Sequence, residues 1–239
     1  MEKEKLKGNY IITGKIKTLS GLHIGGSKET LNIGGVDSPV IRNSRDEIYV
    51  PGSSLKGKLR YLLEVSGLIE NVILKGTGHE HAEGLKPENC PICNLFGSSA
   101  EDSVKPKIIV RDSYYCGTGA NPKTEEKIEN SIDRVSVSAN PRHIERVEKD
   151  SIFDFEIVLL DFENGSIETK KLFEMLITSM RFLEDNYLGG SGTRGYGKIS
   201  FEDIKVCYKG LDYYEGNGEE KNKIESENLE LLKGKISNL

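Results

Sequence analysis

Stripped of its long irregular stretches, the sequence runs strand, helix, strand, strand, helix, strand. That order predicts an α+β fold of the ferredoxin-like kind, an antiparallel sheet with two helices on one face. Three observations carry the prediction. Glu168–Asp185 has a broad apolar stripe through Leu172, Phe173, Leu176, Ile177, Met180 and Leu183, the pattern of a helix laid on a core. Ser151–Phe162 is largely apolar through Ile152, Phe153, Phe155, Ile157, Val158, Leu159 and Leu160, as a central strand would be. Five glycines fall between Gly189 and Gly197, just ahead of a last strand over Lys198–Tyr208.

The remaining elements follow in chain order. Tyr10–Thr18 alternates with isoleucines on one face and reads as the first strand. Val40-Ile41 and Ile48-Tyr49-Val50 are short strand pieces around a turn at Asn43–Asp46. Pro51-Gly52-Ser53-Ser54 opens the first helix, with Ser53 or Ser54 expected as N-cap. Leu55, Leu59, Leu62 and Leu63 mark its apolar face, with Ile69 beyond. Lys107–Tyr115 resumes a strand, and Val135–Ser138 suggests part of a hairpin within the long polar stretch from Cys116 to Asp150. A short helix is expected near Leu229–Ile236.

At 239 residues the chain can bury a substantial core. No apolar run approaches the ~20 residues of a membrane span. Met1–Lys5 has no apolar signal core behind it, so a cytoplasmic protein without membrane partners is expected. The formal charge is -5. Leu211–Leu231 alone carries seven acids and two lysines, so the rest of the chain sums to zero. A neutral body can still present a basic groove; only a strongly basic, histone-like binder is excluded.

Three constellations carry chemistry. The glycine run contains Arg194, Tyr196 and Lys198. A backbone free to take positive φ, two cations and a ring for stacking suit a phosphate chain bearing bases. Lys56, Lys58 and Arg60 crowd the start of the first helix. Cations there oppose the helix dipole, which a demand for anion binding explains. Arg134, Arg142 and Arg146 make the later half of the polar stretch basic.

The second is His79-Glu80-His81 followed by Cys90-Pro91-Ile92-Cys93. Two thiolates at this spacing and two imidazoles complete a tetrahedral zinc shell, with Cys116 able to replace one histidine. Four protein ligands leave no open position, so the site reads as structural, folding an insertion of little apolar content. The third is Asp37, beside Ser38-Pro39, with His23 the nearest other titratable side chain. Alone, this aspartate is an ordinary Asx-turn residue. It is also a carboxylate free to bind a divalent ion or draw a proton from a ribose 2′-OH.

Several stretches together, in order, resemble one family. They are Gly21–Gly26, Gly34–Ile41, Pro51–Arg60, Asn130–Arg134 with Ala139–Arg142, and Tyr187–Lys198. They look like the repeated backbone subunit of the Csm complex, the type III-A CRISPR effector, within the RAMP superfamily. The resemblance reaches to about Tyr208 and excludes the acidic tail. It implies an RRM/RAMP-type ferredoxin-like core over 1–210, with a catalytic loop at 27–47, a zinc-binding insertion at 76–99 and a thumb at 116–150. The acidic segment 211–239 follows.

The resemblance further implies a filament of copies along a CRISPR RNA, other Csm subunits as partners, and target single-stranded RNA cut at regular intervals. Asp37 matches the aspartate required for cutting with Mg²⁺ or Mn²⁺. The guide contacts match Ser54, Lys56, Arg60 and the loop residues Gly189, Gly190, Gly192, Arg194, Gly195, Tyr196 and Lys198, and His23, Lys58, Arg134 and Arg142 are read as further RNA contacts. A non-cutting RNA scaffold and a guide-processing ribonuclease are the rival readings. The first would need no acid at Asp37, and the second would not depend on divalent ions.

Overall fold

The computed structural model describes residues 4–26, 36–76, 78–82, 84–98 and 104–236. Part of the expected catalytic loop, including Gly34-Gly35, therefore lies outside the described residues, as do 237–239 of the tail.

The expected sheet is present. Its strands are β1 (Lys5–Thr18), β2 (Tyr49–Val50), β5 (Ile108–Val110), β6 (Ser113–Tyr115), β9 (Ile152–Glu163), β10 (Ile199–Gly210) and β11 (Lys221–Ser226). They are ordered β11-β10-β1-β9-β6-β2, with β5 also on β9, and every pairing is antiparallel. The long strands alternate as period two demands. Ile12 and Ile16 of β1, Phe153, Phe155 and Ile157 of β9, and Phe201, Ile204 and Val206 of β10 are buried in one core. Helices α1 (Gly52–Val65) and α3 (Thr169–Asp185) cover that face, packing on each other. Leu55, Leu59, Leu62 and Leu63 from α1 are buried there. So are all six stripe residues of α3.

The other face is polar and internally paired. Lys15 bonds Asp154, Arg111 bonds Glu156 at 2.5 Å, and Lys205 bonds Glu225 at 3.3 Å. Tyr214 of the short α4 (Leu211–Tyr214) accepts a hydrogen bond from Asn9. Cross-strand ion pairs take up the face that an RRM-like binder would offer to bases.

Four expectations are corrected. Neither Ser53 nor Ser54 caps α1: Pro51 is the N-cap residue and no side chain of that position bonds the helix. The Lys107–Tyr115 strand is broken at Arg111-Asp112, which frees Asp112 to accept the Gly52 N–H at 2.8 Å. An anion does sit at this helix start, and it belongs to the chain itself.

The insertion is not poor in core. A hairpin of β3 (Val72–Lys75) and β4 (Gly78–His81) leads to α2 (Pro91–Phe96), whose Ile92, Leu95 and Phe96 join the main core. The acidic tail is not separate either. β11 extends the sheet, and α5 (Leu229–Ile236) packs on α3 through Leu229, Leu232 and Ile236. The polar stretch forms a two-stranded hairpin, β7 (Thr124–Ile132) with β8 (Ala139–Val147), reaching away from the sheet as a thumb would.

Candidate RNA-cleavage site and metal centre

The glycine loop is held in place by the segment that follows β1, Ser20–His23. Gly189, at φ +76°, lies so close to the His23 carbonyl that any Cβ would collide with it, which is what demands glycine. Gly190 N–H donates to the same carbonyl at 2.8 Å, and Gly197 N–H donates to Gly21 at 2.9 Å. Lys198 N–H donates to Ser20 Oγ at 3.0 Å. The loop carries a 3₁₀ turn at Gly192–Arg194, entered and left in left-handed conformations at Ser191 and Gly195. Gly192 packs against the ring of Tyr187. Lys58 of α1 lies 3.6 Å from the centroid of that ring. Burial lowers the pKa of Lys58, and burial and then Arg60 lower that of Lys56. Helix start and glycine loop thus form one surface.

The base of the β7–β8 hairpin closes its other side. Lys127 Nζ donates to the Arg194 carbonyl at 3.4 Å, and Arg194 Nη1 pairs with Glu129 at 2.9 Å. Tyr196 is 1% exposed, with Lys127 at 4.5 Å and Arg146 at 4.8 Å over its ring. Burial, then Glu129, pushes its hydroxyl up to about 12. This corrects the expectation of a stacking platform, since a ring enclosed by two cations of its own chain has no face for a base.

Asp37 is exposed and sits where its segment meets β8. Its Oδ2 accepts the His143 N–H at 2.8 Å, and Ser38 bridges Ile144 in parallel. The His143 ring is paired with Glu126. Glu145 fastens the same segment, accepting Val40 N–H at 2.9 Å and Arg42 Nη2 at 3.0 Å. The Glu145 carbonyl lies 2.7 Å from His23 Nδ1. A carbonyl only accepts, so Nδ1 carries the proton and Nε2 is left as the ring's other face. Asp37, His23, Lys58 and the glycine loop are therefore linked through β8 and Tyr187.

Arg142, exposed, is paired in register with Glu129 on the hairpin, and Arg134 is exposed at its tip. Ser54 is half-buried in the first turn of α1. Arg60 is directed elsewhere, to Glu64 at 2.7 Å and to the Gly97 carbonyl at 3.0 Å. Lys127 and Glu129 carry no motif of their own; only the fold brings them to the loop, as it brings Lys58 to Tyr187.

His79, His81, Cys90 and Cys93 form the metal-holding cluster, their ligand atoms all within 4.8 Å of one another. His79 Nε2 lies 3.6 Å from Cys90 Sγ and 3.4 Å from Cys93 Sγ, and His81 Nε2 lies 3.5 Å from Cys93 Sγ. Around zinc at ordinary bond lengths, a tetrahedral N···S edge is about 3.6 Å, so the set fits that ion. Cys116 stands apart, its Sγ 3.5 Å from Lys15 and from the Ile152 carbonyl. The residues that could hold a metal together are therefore His79, His81, Cys90 and Cys93. Interaction with Cys93, then His79, lowers the pKa of the Cys90 thiol, while Cys90 and burial raise that of Cys93.

The sequence model of the RAMP superfamily matches residues 15–200, and the chain belongs to that superfamily. Within it, the curated relatives are CRISPR proteins of one kind. The chain is 44% identical over 241 residues to "CRISPR system Cms endoribonuclease Csm3" of Methanocaldococcus jannaschii, covering 97% of this chain and 93% of the relative. It is 38% identical to the protein of the same name in Methanothermobacter thermautotrophicus, covering 94% and 96%. Among solved structures, a chain of the Csm3–Csm4 subcomplex of a type III-A CRISPR-Cas interference complex aligns with a TM-score of 0.62 at 32% identity, covering 98% of both chains. Methanopyrus kandleri Csm3 shares the fold, with a TM-score of 0.64 at 21% identity over 98% and 97%. Among the described residues no helix is long and apolar enough to cross a membrane.

Proposed function

We propose that the chain is a guide-RNA-binding backbone subunit of a type III-A CRISPR interference complex, cutting guide-paired target RNA once per copy. One observation carries the catalytic half. The exposed Asp37 carboxylate is anchored on the thumb strand β8, beside the loop and helix that hold the guide. The endoribonuclease names of the relatives support the same reading. Lys56, Lys58, Arg194 and Lys198 are the phosphate contacts. Gly189, Gly190, Gly192 and Gly195 let the guide backbone approach, and His23 faces it. Arg134 and Arg142 serve along the thumb. Other copies, other Csm subunits and the target strand are the partners, in the cytoplasm.

The reaction is attack of a ribose 2′-OH on the adjacent phosphorus. The new P–O2′ bond forms as P–O5′ breaks, leaving a cyclic phosphate and a 5′-hydroxyl. The thumb splays a nucleotide so that the three atoms align. Asp37 takes the 2′-OH proton or holds the divalent ion. Asp37 together with the RNA phosphates would hold Mg²⁺ or Mn²⁺, which would supply charge neutralisation as the phosphorus is attacked. His79, His81, Cys90 and Cys93 would hold zinc in a structural role.

The test uses complexes assembled on guide RNA with labelled complementary target, in Mg²⁺ and in EDTA. Wild type should cut at regular intervals in Mg²⁺ alone. Asp37→Ala should bind target equally and cut at least about a hundredfold more slowly. Cutting by Asp37→Ala at the wild-type rate refutes the catalytic assignment. Binding without cutting by either protein identifies a scaffold.

A further inference from the structure

The candidate metal cluster draws its ligands from β4 and from the start of α2, where Cys90 is the N-cap residue, and both are tied to one arginine on α1. Glu64 is buried, its side chain 5% exposed, and its Oε1 lies 2.7 Å from His79 Nδ1 and 2.7 Å from Arg60 Nε. His79 is fully buried, and its Nε2 faces both thiols. An imidazole that gives Nε2 to a metal keeps its proton on Nδ1 and donates it to a carboxylate. Glu64 is that acceptor.

Arg60 supplies the countercharge the buried Glu64 needs, since a carboxylate at this depth without one is costly. Its other arm, Nη1, donates to the Gly97 carbonyl at 3.0 Å, one residue beyond α2. One guanidinium therefore braces the β4 half of the ligand set through Glu64 and the α2 half through Gly97. Only a planar fork does both.

We infer that Arg60 and Glu64 are positioning residues of the metal centre, so that retention of the metal depends on α1. Arg60 then serves the metal rather than the guide, although it shares its helix with Lys56 and Lys58. The inference rests on the zinc reading above.

The experiment uses the full chain loaded with Zn²⁺, measuring metal content and the rate of Zn²⁺ transfer to a chromogenic chelator. Glu64→Gln and Arg60→Ala should each release zinc about tenfold faster or more, the usual scale for such supporting groups. Arg60→Lys should fall between Arg60→Ala and wild type. The double variant should release no faster than the product of a shared pathway allows, well short of additive in log rate. Leu176→Ala on α3, a core truncation away from the cluster, controls for general loosening and should release at the wild-type rate. With Co²⁺ in place of zinc, the isosteric Glu64→Gln should shift the visible absorption bands, because the His79 ring loses its orienting acceptor. Wild-type release from both Glu64→Gln and Arg60→Ala overturns the inference while leaving the zinc reading intact. A wild-type chain that takes up no Zn²⁺ overturns both.

Discussion

Tyr196 illustrates how one residue's environment overrides its type. In a loop of glycines and cations an aromatic ring suits base stacking, yet this ring is enclosed between Lys127 and Arg146. It joins the base of the β7–β8 hairpin to the loop. Its buried hydroxyl lies beside Glu129, which raises its pKa, but no hydrogen bond of ordinary geometry reaches it. Removing an unsatisfied hydroxyl costs little, whereas removing a buried ring leaves a cavity. Tyr196→Phe should therefore change unfolding free energy by less than about 0.5 kcal/mol and leave guide affinity unchanged. Tyr196→Ala should cost about 3–5 kcal/mol. Thermal or denaturant unfolding of the two variants decides it. If the Phe variant loses as much as the Ala variant, the hydroxyl is bonded and the burial argument is wrong.

At the scale of elements, the start of α1 separates what sequence pattern can reach from what it cannot. The serines fit the capping preference, but the first free N–H goes to Asp112, 60 residues away in sequence. Ser54→Ala should then leave stability within about 0.5 kcal/mol of wild type, while Asp112→Ala should cost about 0.5–2 kcal/mol, the usual worth of a cap. Equal costs would restore the serine as the cap. The same distinction governs legibility throughout. The long strands and both sheet-covering helices were readable because apolar period and burial coincide, as at Ile12 and Ile16 or along the α3 stripe. The Cys₂His₂ cluster was readable because its spacing alone implies the chemistry. β11 was not, since an edge strand of charged residues carries no alternation. Glu64, Glu129 and Glu145 were not, since each gains its role from partners far off in the chain. Asp37 is singled out only by the family resemblance, as a lone aspartate before Ser-Pro has no pattern of its own.

At the scale of the whole molecule, a metal held by the Cys₂His₂ cluster would join a marginal element to a self-sufficient one. α2 is buried in the main core without help, through Ile92, Leu95 and Phe96. The β3–β4 hairpin is two-stranded, and its Ile73 and Leu74 are about half exposed. A two-stranded hairpin with so little buried surface is barely stable alone. His79 and His81 face Cys90 and Cys93, so a metal held by the four would fasten hairpin to core. Stripping the metal with a chelator should then open a local unit rather than the molecule. Amide hydrogen exchange should accelerate sharply over residues 72–81, modestly over 91–96, and not at all in β1, β9 and β10. Loss of protection throughout the sheet would mean that the metal holds the whole fold together. Unchanged protection over 72–81 would mean that the Glu64–His79 contact and the strand pairing hold the hairpin without it.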